Sequence, residues 1–467
     1  MLKKTKVFRS SHRAAIIGSF FVFVIASVLI LGQKEITAAR CGSNCLPPPP
    51  HPVASSSPIL FRYDGTGNDH AGASVAVGDV NGDGIADLLI GADGGALGGN
   101  TQADAYVLVL DGASSFQKTL YKIFGPEADA FGDRVVVGDV NGDGKGDIIV
   151  GAPNGNAGVG YVNIYDGATG ALLRTLNGVD NGASGGAHFG HSLAFANIAG
   201  TPELLVGAPA PGAQTAANSY ADLFNAATGQ IIYEWLPPVK QAERGDGVAF
   251  ADVNGDGIPD IILGDGSGQT GGKTNGFGDI YVYDGSKYSS VLDIFFSNGS
   301  GTAKAEDNFG FSVAACDVNG DGRPDVIGGA YRGDTLGLTN NGYVLVYSGA
   351  DASLLYQFNG TYGQGLKTSG GEFGYSVACG DINGDNKSDV IVGERWSGGG
   401  HVYAYDGATG ALLFVENPLA DQNYDWLGHA VTTGLIENNG KVNIVAGAPQ
   451  GDSRASSQGG YVVVYKN

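Results

Sequence analysis

Basic residues are scarce in this chain: 26 Lys and Arg stand against 47 Asp and Glu among 467 residues, a formal net charge of −21. A polyanion needs a basic surface, so nucleic acid is excluded as a partner. Cysteine is scarcer still, with four in all. Catalytic signatures are missing as well: there is no His-Glu-x-x-His, and no Gly-x-Ser-x-Gly elbow in a strand-to-helix setting. No catalytic residue and no organic cofactor is therefore expected. Apolar residues are not lacking, at 43%, so a large core is within reach despite 80 glycines.

What is present is a recurring acidic loop. Asp79 to Ala92 reads Asp-Val-Asn-Gly-Asp-Gly-Ile-Ala-Asp-Leu-Leu-Ile-Gly-Ala, and it returns at Asp139, Asp252, Asp317 and Asp381. Side-chain oxygens fall at positions 1, 3, 5 and 9, while position 7 can offer only its backbone carbonyl. Hard oxygen donors on alternate residues, with glycines permitting left-handed backbone, describe a Ca²⁺ site; Mg²⁺ prefers to keep its waters. The expected ligands are Asp79, Asn81, Asp83, Ile85 and Asp87 in the first loop, and Asp139, Asn141, Asp143, Lys145 and Asp147 in the second. Asp252, Asn254, Asp256, Ile258 and Asp260 follow, then Asp317, Asn319, Asp321, Arg323 and Asp325, and finally Asp381, Asn383, Asp385, Lys387 and Asp389. An EF-hand would need Glu at position 12 and a helix on each side. Position 12 is Ile90, Val150, Leu263, Gly328 or Val392, and the flanks are short apolar runs suited to strands. The ninth-position Asp is then expected to close the site, in a loop joining two strands.

The first 39 residues read as an export signal, with Lys3, Lys4, Lys6, Arg9 and Arg13 ahead of the apolar run from Ala14 to Leu31. Cleavage is expected after Thr37-Ala38-Ala39, with an uncleaved membrane anchor as the alternative. Residues 40–57 form a Pro- and Ser-rich linker in which Cys41 and Cys45 could pair. Cys316 and Cys379, beside two acidic loops, read as small buried hydrophobes rather than a bridge. A secreted or cell-surface location suits a calcium site.

From residue 58 to 467 one unit repeats. A Gly-x-Ser-Val-Ala strand is preceded by Phe-Gly at Phe131, Phe189, Phe309 and Phe373; the acidic loop follows, then a strand ending in Gly-Ala-Pro, as at Gly151, Gly207 and Gly447. A third strand, such as Tyr161 to Tyr165, leads through Asp166-Gly167-Ala168-Thr169-Gly170 into a fourth. Four short strands in about 60 residues predict an antiparallel blade. Seven second strands can be counted. The third and seventh copies have lost the acidic ladder and are assigned no metal. The last copy stops at its third strand, while Ile59 to Tyr63 precedes the first unmatched. That strand is expected to complete the last blade and close a ring, removing exposed edges.

These Phe-Gly and Gly-Ala-Pro units, with an embedded Asp-x-Asn-x-Asp-Gly-x-x-Asp loop, resemble the FG-GAP repeats of the integrin α-subunit N-terminal propeller. The resemblance covers residues 59 to 467 and implies a seven-bladed β-propeller, Ca²⁺ at the five ladders on one face, and ligands on the opposite face. Asn386 stands where the fifth ladder would carry its second Gly, a residue that also visits left-handed angles.

The functional expectation is a monomeric, non-catalytic binding or adhesion module for a protein or carbohydrate ligand. A secreted enzyme, or a propeller attached to one, acting on polysaccharide or phospholipid is the alternative. Membrane association is expected only through an uncleaved N-terminal segment. Recognition is placed on the loops after Gly-Ala-Pro and before Phe-Gly, with Tyr331, Arg332, Trp396, Tyr424 and Trp426 as candidates against a packing role. His188 and His191 are the best catalytic offering, yet His191 fills the ordinary slot after Phe-Gly, as His429 does after Leu427-Gly428. Two Arg-Gly-Asp triplets, Arg244 to Asp246 and Arg332 to Asp334, arise easily in a Gly- and Asp-rich chain and are not expected to mediate adhesion. Asn298 and Asn359 lie in glycosylation sequons.

Overall fold

Seven apolar runs that begin within a residue or two of a Gly in each repeat become the inner strands of seven four-stranded antiparallel sheets. A computed structural model describes residues 58–466, apart from 67–68, 95–104, 127, 181–185, 211–218, 238–242, 267–277, 298–306, 336–337, 361–369, 418–424, 438 and 451–458. The expected export signal, the linker with Cys41 and Cys45, Tyr424 and Asn298 lie outside the described residues. The first blade runs Ala71–Gly78, Asp87–Ala92, Tyr106–Leu110 and Thr119–Phe124 from axis to rim. The remaining inner strands are Arg134–Gly138, Ser192–Ile198, Arg244–Ala251, Phe309–Cys316, Phe373–Gly380 and Ala430–Gly434, each packed on the next, with the last returning to the first. This is a seven-bladed β-propeller, as expected, with no α-helix among the described residues.

The seventh blade is completed by Ile59–Asp64, which pairs antiparallel with Tyr461–Tyr465, so the ring closes with strands from both ends of the repeat region. Second and third strands are largely buried, whereas fourth strands carry exposed residues, as at Thr119, Lys122 and Phe124. The core therefore lies between blades: Leu88 and Ile90 of the first blade pack with Val445, Val462 and Val464 of the seventh.

Glycine decides the seams. The glycine of each Phe-Gly, or its counterpart, holds a positive φ of 84–94°, at Gly72, Gly132, Gly190, Gly245, Gly310, Gly374 and Gly428. Its carbonyl then lies against the Cα of the Gly-Ala glycine in the preceding blade: Gly91 meets Gly132, Gly151 meets Gly190, and Gly447 meets Gly72 across the closure. A Cβ on the Gly-Ala glycine would overlap that carbonyl oxygen at every seam. Serine secures four of them, since Ser74, Ser192, Ser312 and Ser376 donate to the carbonyls of Gly132, Gly245, Gly374 and Gly428 at 2.6–2.9 Å. The loop before Phe-Gly is fixed by a further repeated bond: the Tyr106, Tyr161 and Tyr343 hydroxyls donate to Asp69, Asp129 and Asp307 at 2.7–3.0 Å.

Cys316 and Cys379 correct the expectation, because they form a disulfide with Cα atoms 6.5 Å apart. They are not equivalent in register: Cys316 pairs with Asp325, whereas Cys379 pairs with Val390, one residue short of Asp389. Successive strand residues point to opposite sides, so Cys316 faces forward to the sixth blade and Cys379 faces back. The same contact elsewhere joins Gly78 to Val137, Gly138 to Phe195 and Gly380 to Thr433.

Two outcomes follow for stability. Gly91→Ala is expected to cost about 3 kcal/mol through overpacking against backbone, whereas Gly142→Ala, in open space at φ 79°, costs about 1–2 kcal/mol of left-handed strain; urea midpoints separate them. The Cys316→Ala/Cys379→Ala double variant should lose roughly 2–4 kcal/mol in the same assay.

Candidate functional site

Each acidic loop is a tight hairpin connection whose shape is dictated by its own side chains. Asp79 Oδ1 accepts the backbone N–H groups of Gly82 and Asp83 at 2.7 and 3.1 Å, and Oδ2 accepts Gly84 at 2.7 Å. Asn81 Oδ1 accepts the Asp83 N–H, and Asp83 Oδ1 that of Ile85. The same lattice recurs around Asp139, Asp317 and Asp381, and with the Asp256 and Gly257 donors around Asp252. Asn386 takes φ 66° in place of the missing Gly, as its residue type allows. Positions 1, 3 and 5 are thereby held on one partly exposed loop.

Position 9 behaves differently. Asp87 is fully buried at the head of the second strand, where Oδ2 accepts Val80 and Asn81 and Oδ1 accepts Gly112 from the turn after the third strand. Asp147, Asp325 and Asp389 repeat all three bonds, and Asp260 accepts Asn254 and Gly285. Burial raises each of these carboxyls, to about 6 for Asp325 and Asp389, against the lowering effect of the N–H donors. Among the described residues no three His, Cys, Asp or Glu side chains are gathered into a metal group. The ninth carboxylate is turned onto backbone donors, which accounts for it.

The donor set nevertheless suits a hard cation. Every side chain at positions 1, 3 and 5 offers oxygen and the loop is held in shape by its own hydrogen bonds; Oδ1 of Asp87 and Asp147 accepts one backbone bond and keeps a lone pair, whereas in Asp260, Asp325 and Asp389 it also accepts the Asn254, Asn319 or Asn383 amide. Asp111, Asp166 and Asp406 also belong to the arrangement: each accepts the Asn81, Asn141 or Asn383 amide N–H at 3.1–3.4 Å. That orients the amide so that its oxygen stays on the loop. The repeated Asp-Gly-Ala turn was the sequence signal for them.

The third copy shows what loss of the ladder does. Ile198 and Thr201 pair across a two-residue turn, with Ala199 and Gly200 at φ 50° and 84°. Glu203 takes the ninth position and accepts the Tyr288 hydroxyl. In the seventh copy Asn443 stands there instead.

On the opposite face the residue after each Phe-Gly glycine surrounds the axis. Ala73, Asp133, His191 and Asp246 supply one part, and Phe311, Tyr375 and His429 the other. Tyr331 and Trp426 are drawn into the aromatic half: Phe311 lies 4.5 Å from Tyr331 and 5.0 Å from Tyr375, and Trp426 stacks 5.9 Å from His429. Arg395 covers Tyr375 at 3.7 Å and pairs with Glu372. Trp396, 41% exposed, stands at the rim against Trp426, and Arg332 is exposed beside Tyr331. His429 is buried and His191 half-buried, and desolvation holds both well below the usual imidazole range, with Arg134 adding at both and Arg395 at His429. Arg244 of the first Arg-Gly-Asp triplet occupies the phenylalanine slot of the fourth blade; it is fully buried, bonded to the Tyr283 hydroxyl and stacked on Tyr281.

The FG-GAP repeat model matches residues 71–109, 131–165, 309–347 and 373–410, four of the five blades that carry the acidic loop. The chain carries FG-GAP repeats. The fourth blade of this FG-GAP chain keeps the loop but has Arg244 for phenylalanine. Its relatives include bovine (Bos taurus) phosphatidylinositol-glycan-specific phospholipase D, 30% identical over 39% of this chain and 24% of that protein. Integrin alpha-V of Gallus gallus is 36% identical over 24% of the chain, and integrin alpha-3 of Mus musculus 37% over 29%. The chain spans 10% and 14% of those two integrins, so the likeness is one of propeller repeats.

Asp133 gives the mouth a measurable pH response. Burial pushes its carboxyl up to about 6, with Arg134 opposing and Asp93 adding. A folded-state value above the unfolded value of about 3.9 means stability falls as pH rises from about 4 to 6. Asp133→Asn should flatten that part of the profile in thermal melts.

Proposed function

We propose that this FG-GAP propeller is an exported, calcium-stabilised, non-catalytic binding module, with its ligand on the face opposite the acidic loops. The observation that carries the reading is the five-fold recurrence of one pre-shaped, all-oxygen loop on a single face. Positions 1, 3 and 5 and the seventh-position carbonyl would hold each ion, with the ninth Asp joining directly in the first two loops and, in the other three, once its Asn amide bond is given up. Calcium would supply charge neutralisation where carboxylates crowd, and would tie the loop to the turn that Gly112 or its counterpart begins. The basic segment and apolar run at the N-terminus support export, which is where calcium is plentiful. Face assignment rests on the loops themselves: the ladders and the Asp-Gly-Ala turns share one end of the ring, leaving the aromatic and arginine residues at the other.

A second reading, in which these repeats serve a catalytic domain, is favoured by the phospholipase D relative. The repeats would then position substrate rather than transform it.

Calcium has a calculable effect. With Kd of roughly 10⁻⁴ M in about 1 mM calcium, each site contributes around 1.4 kcal/mol, so five approach about 7 kcal/mol. EGTA is expected to lower the melting temperature strongly, and calorimetric titration to count five equivalents, four in Asp83→Ala. An unchanged melt in EGTA would sink the calcium reading.

A further inference from the structure

The end of the axial channel opposite the acidic loops encloses a cavity of about 230 Å³ lined by residues from all seven inner strands. It is smaller than the roughly 300–1,000 Å³ of sites for drug-sized ligands. We propose that this mouth, between Arg134 and Asp246 on one side and Phe311, Tyr375 and His429 on the other, is a binding site for a neutral saccharide. The inference rests on the binding-module reading and names the ligand class for it.

Charge excludes the alternatives. Arg134 lies in the cavity wall with only Nη1 engaged, at the carbonyl and carboxylate of Asp133, and Arg395 already covers the Tyr375 ring. Two guanidiniums oppose a cationic ligand. Asp133, beside Arg134, opposes an anionic one, whereas burial, with Glu243 and Asp265 nearby, holds the Asp246 carboxyl in the same wall well above the usual carboxylate range. A ligand without net charge escapes both penalties.

Hydrogen-bonding capacity then selects among neutral ligands. His429 is 3% exposed and its Nδ1 has no partner, and Trp426 Nε1, stacked on it, has none either. Buried polar atoms of this kind are normally satisfied. Ser192, Ser312 and Ser376 line the cavity with their protons already given to glycine carbonyls, so they can only accept. The ligand must therefore donate hydroxyl protons to the serine oxygens, accept one from Trp426 Nε1, and lay a carbon face on Phe311 and Tyr375. A pyranose ring meets these demands, with Arg134 as the charged donor and the Asp246 carboxyl as a polar partner that fix its hydroxyls.

The test uses the full chain in 1 mM calcium on an array of neutral, sialylated and aminated glycans, followed by titration with the free neutral oligosaccharide that scores highest. Retention of neutral glycans over charged counterparts is expected, with at least tenfold weaker binding in Arg134→Gln and in Asp246→Asn at unchanged melting temperature. Two of the chain's three tryptophans, Trp396 and Trp426, adjoin the mouth, so saccharide should also change the intrinsic fluorescence of the wild-type chain, which decides the matter if a variant does not fold. Equal retention of charged glycans, full binding by folded variants, or a fluorescence unchanged by every neutral glycan would overturn the proposal. Calcium stabilisation measured in parallel keeps the two readings apart: a calcium-stabilised chain that binds no neutral glycan loses this inference and leaves the module intact.

Discussion

The contact on which this structure depends is the meeting of two glycines across each seam. A left-handed glycine turns its carbonyl toward the neighbouring blade, and the absence of a side chain on the facing glycine lets the backbones approach. Both residues must lack a Cβ for the contact to form, one for conformation and one for space. With that distance set, apolar side chains of the second and third strands fill the wedge between sheets, and the core consists of seven inter-blade layers. The ring tolerates much else: alanine, leucine or even arginine can stand where phenylalanine precedes the glycine.

The fold was legible because its unit is written seven times. Repeated apolar strands, turn glycines and a leftover strand at Ile59 carried the blade count and the closure without any long-range reasoning. Where repeats diverge, legibility fails. Arg244-Gly245 does not look like Phe-Gly, and its equivalence becomes visible only in Gly245's φ and its seat against Gly207. The Cys316–Cys379 bridge was missed for a different reason: matching loops suggested matching positions, whereas neighbouring blades touch through residues of opposite parity. The ladders were found from spacing alone, but spacing cannot report that the ninth Asp turns onto backbone N–H groups, or that Asp111 steadies Asn81 from a turn thirty residues away.

The two ends of the ring differ in chemistry as a result. One displays identical oxygen-rich loops, each a local structure that needs only its own blade and the adjoining turn. The other brings one residue from each blade to a common axis, so divergence among the repeats becomes a single asymmetric surface of carboxylate, imidazole, guanidinium and aromatic groups. Repetition builds the first and loss of repetition builds the second.

The pairing of Ile59–Asp64 with Tyr461–Tyr465 has a bearing on biosynthesis. A ribosome delivers the partners of that sheet some four hundred codons apart, so six sheets can assemble while the seventh waits with an open flank. Until the final strand emerges, the nascent ring resembles a lock washer, split at one place and able to accept a foreign ribbon there. Ring closure thus has to wait for Tyr461–Tyr465, and a chaperone that shields the early strand would act until that strand arrives.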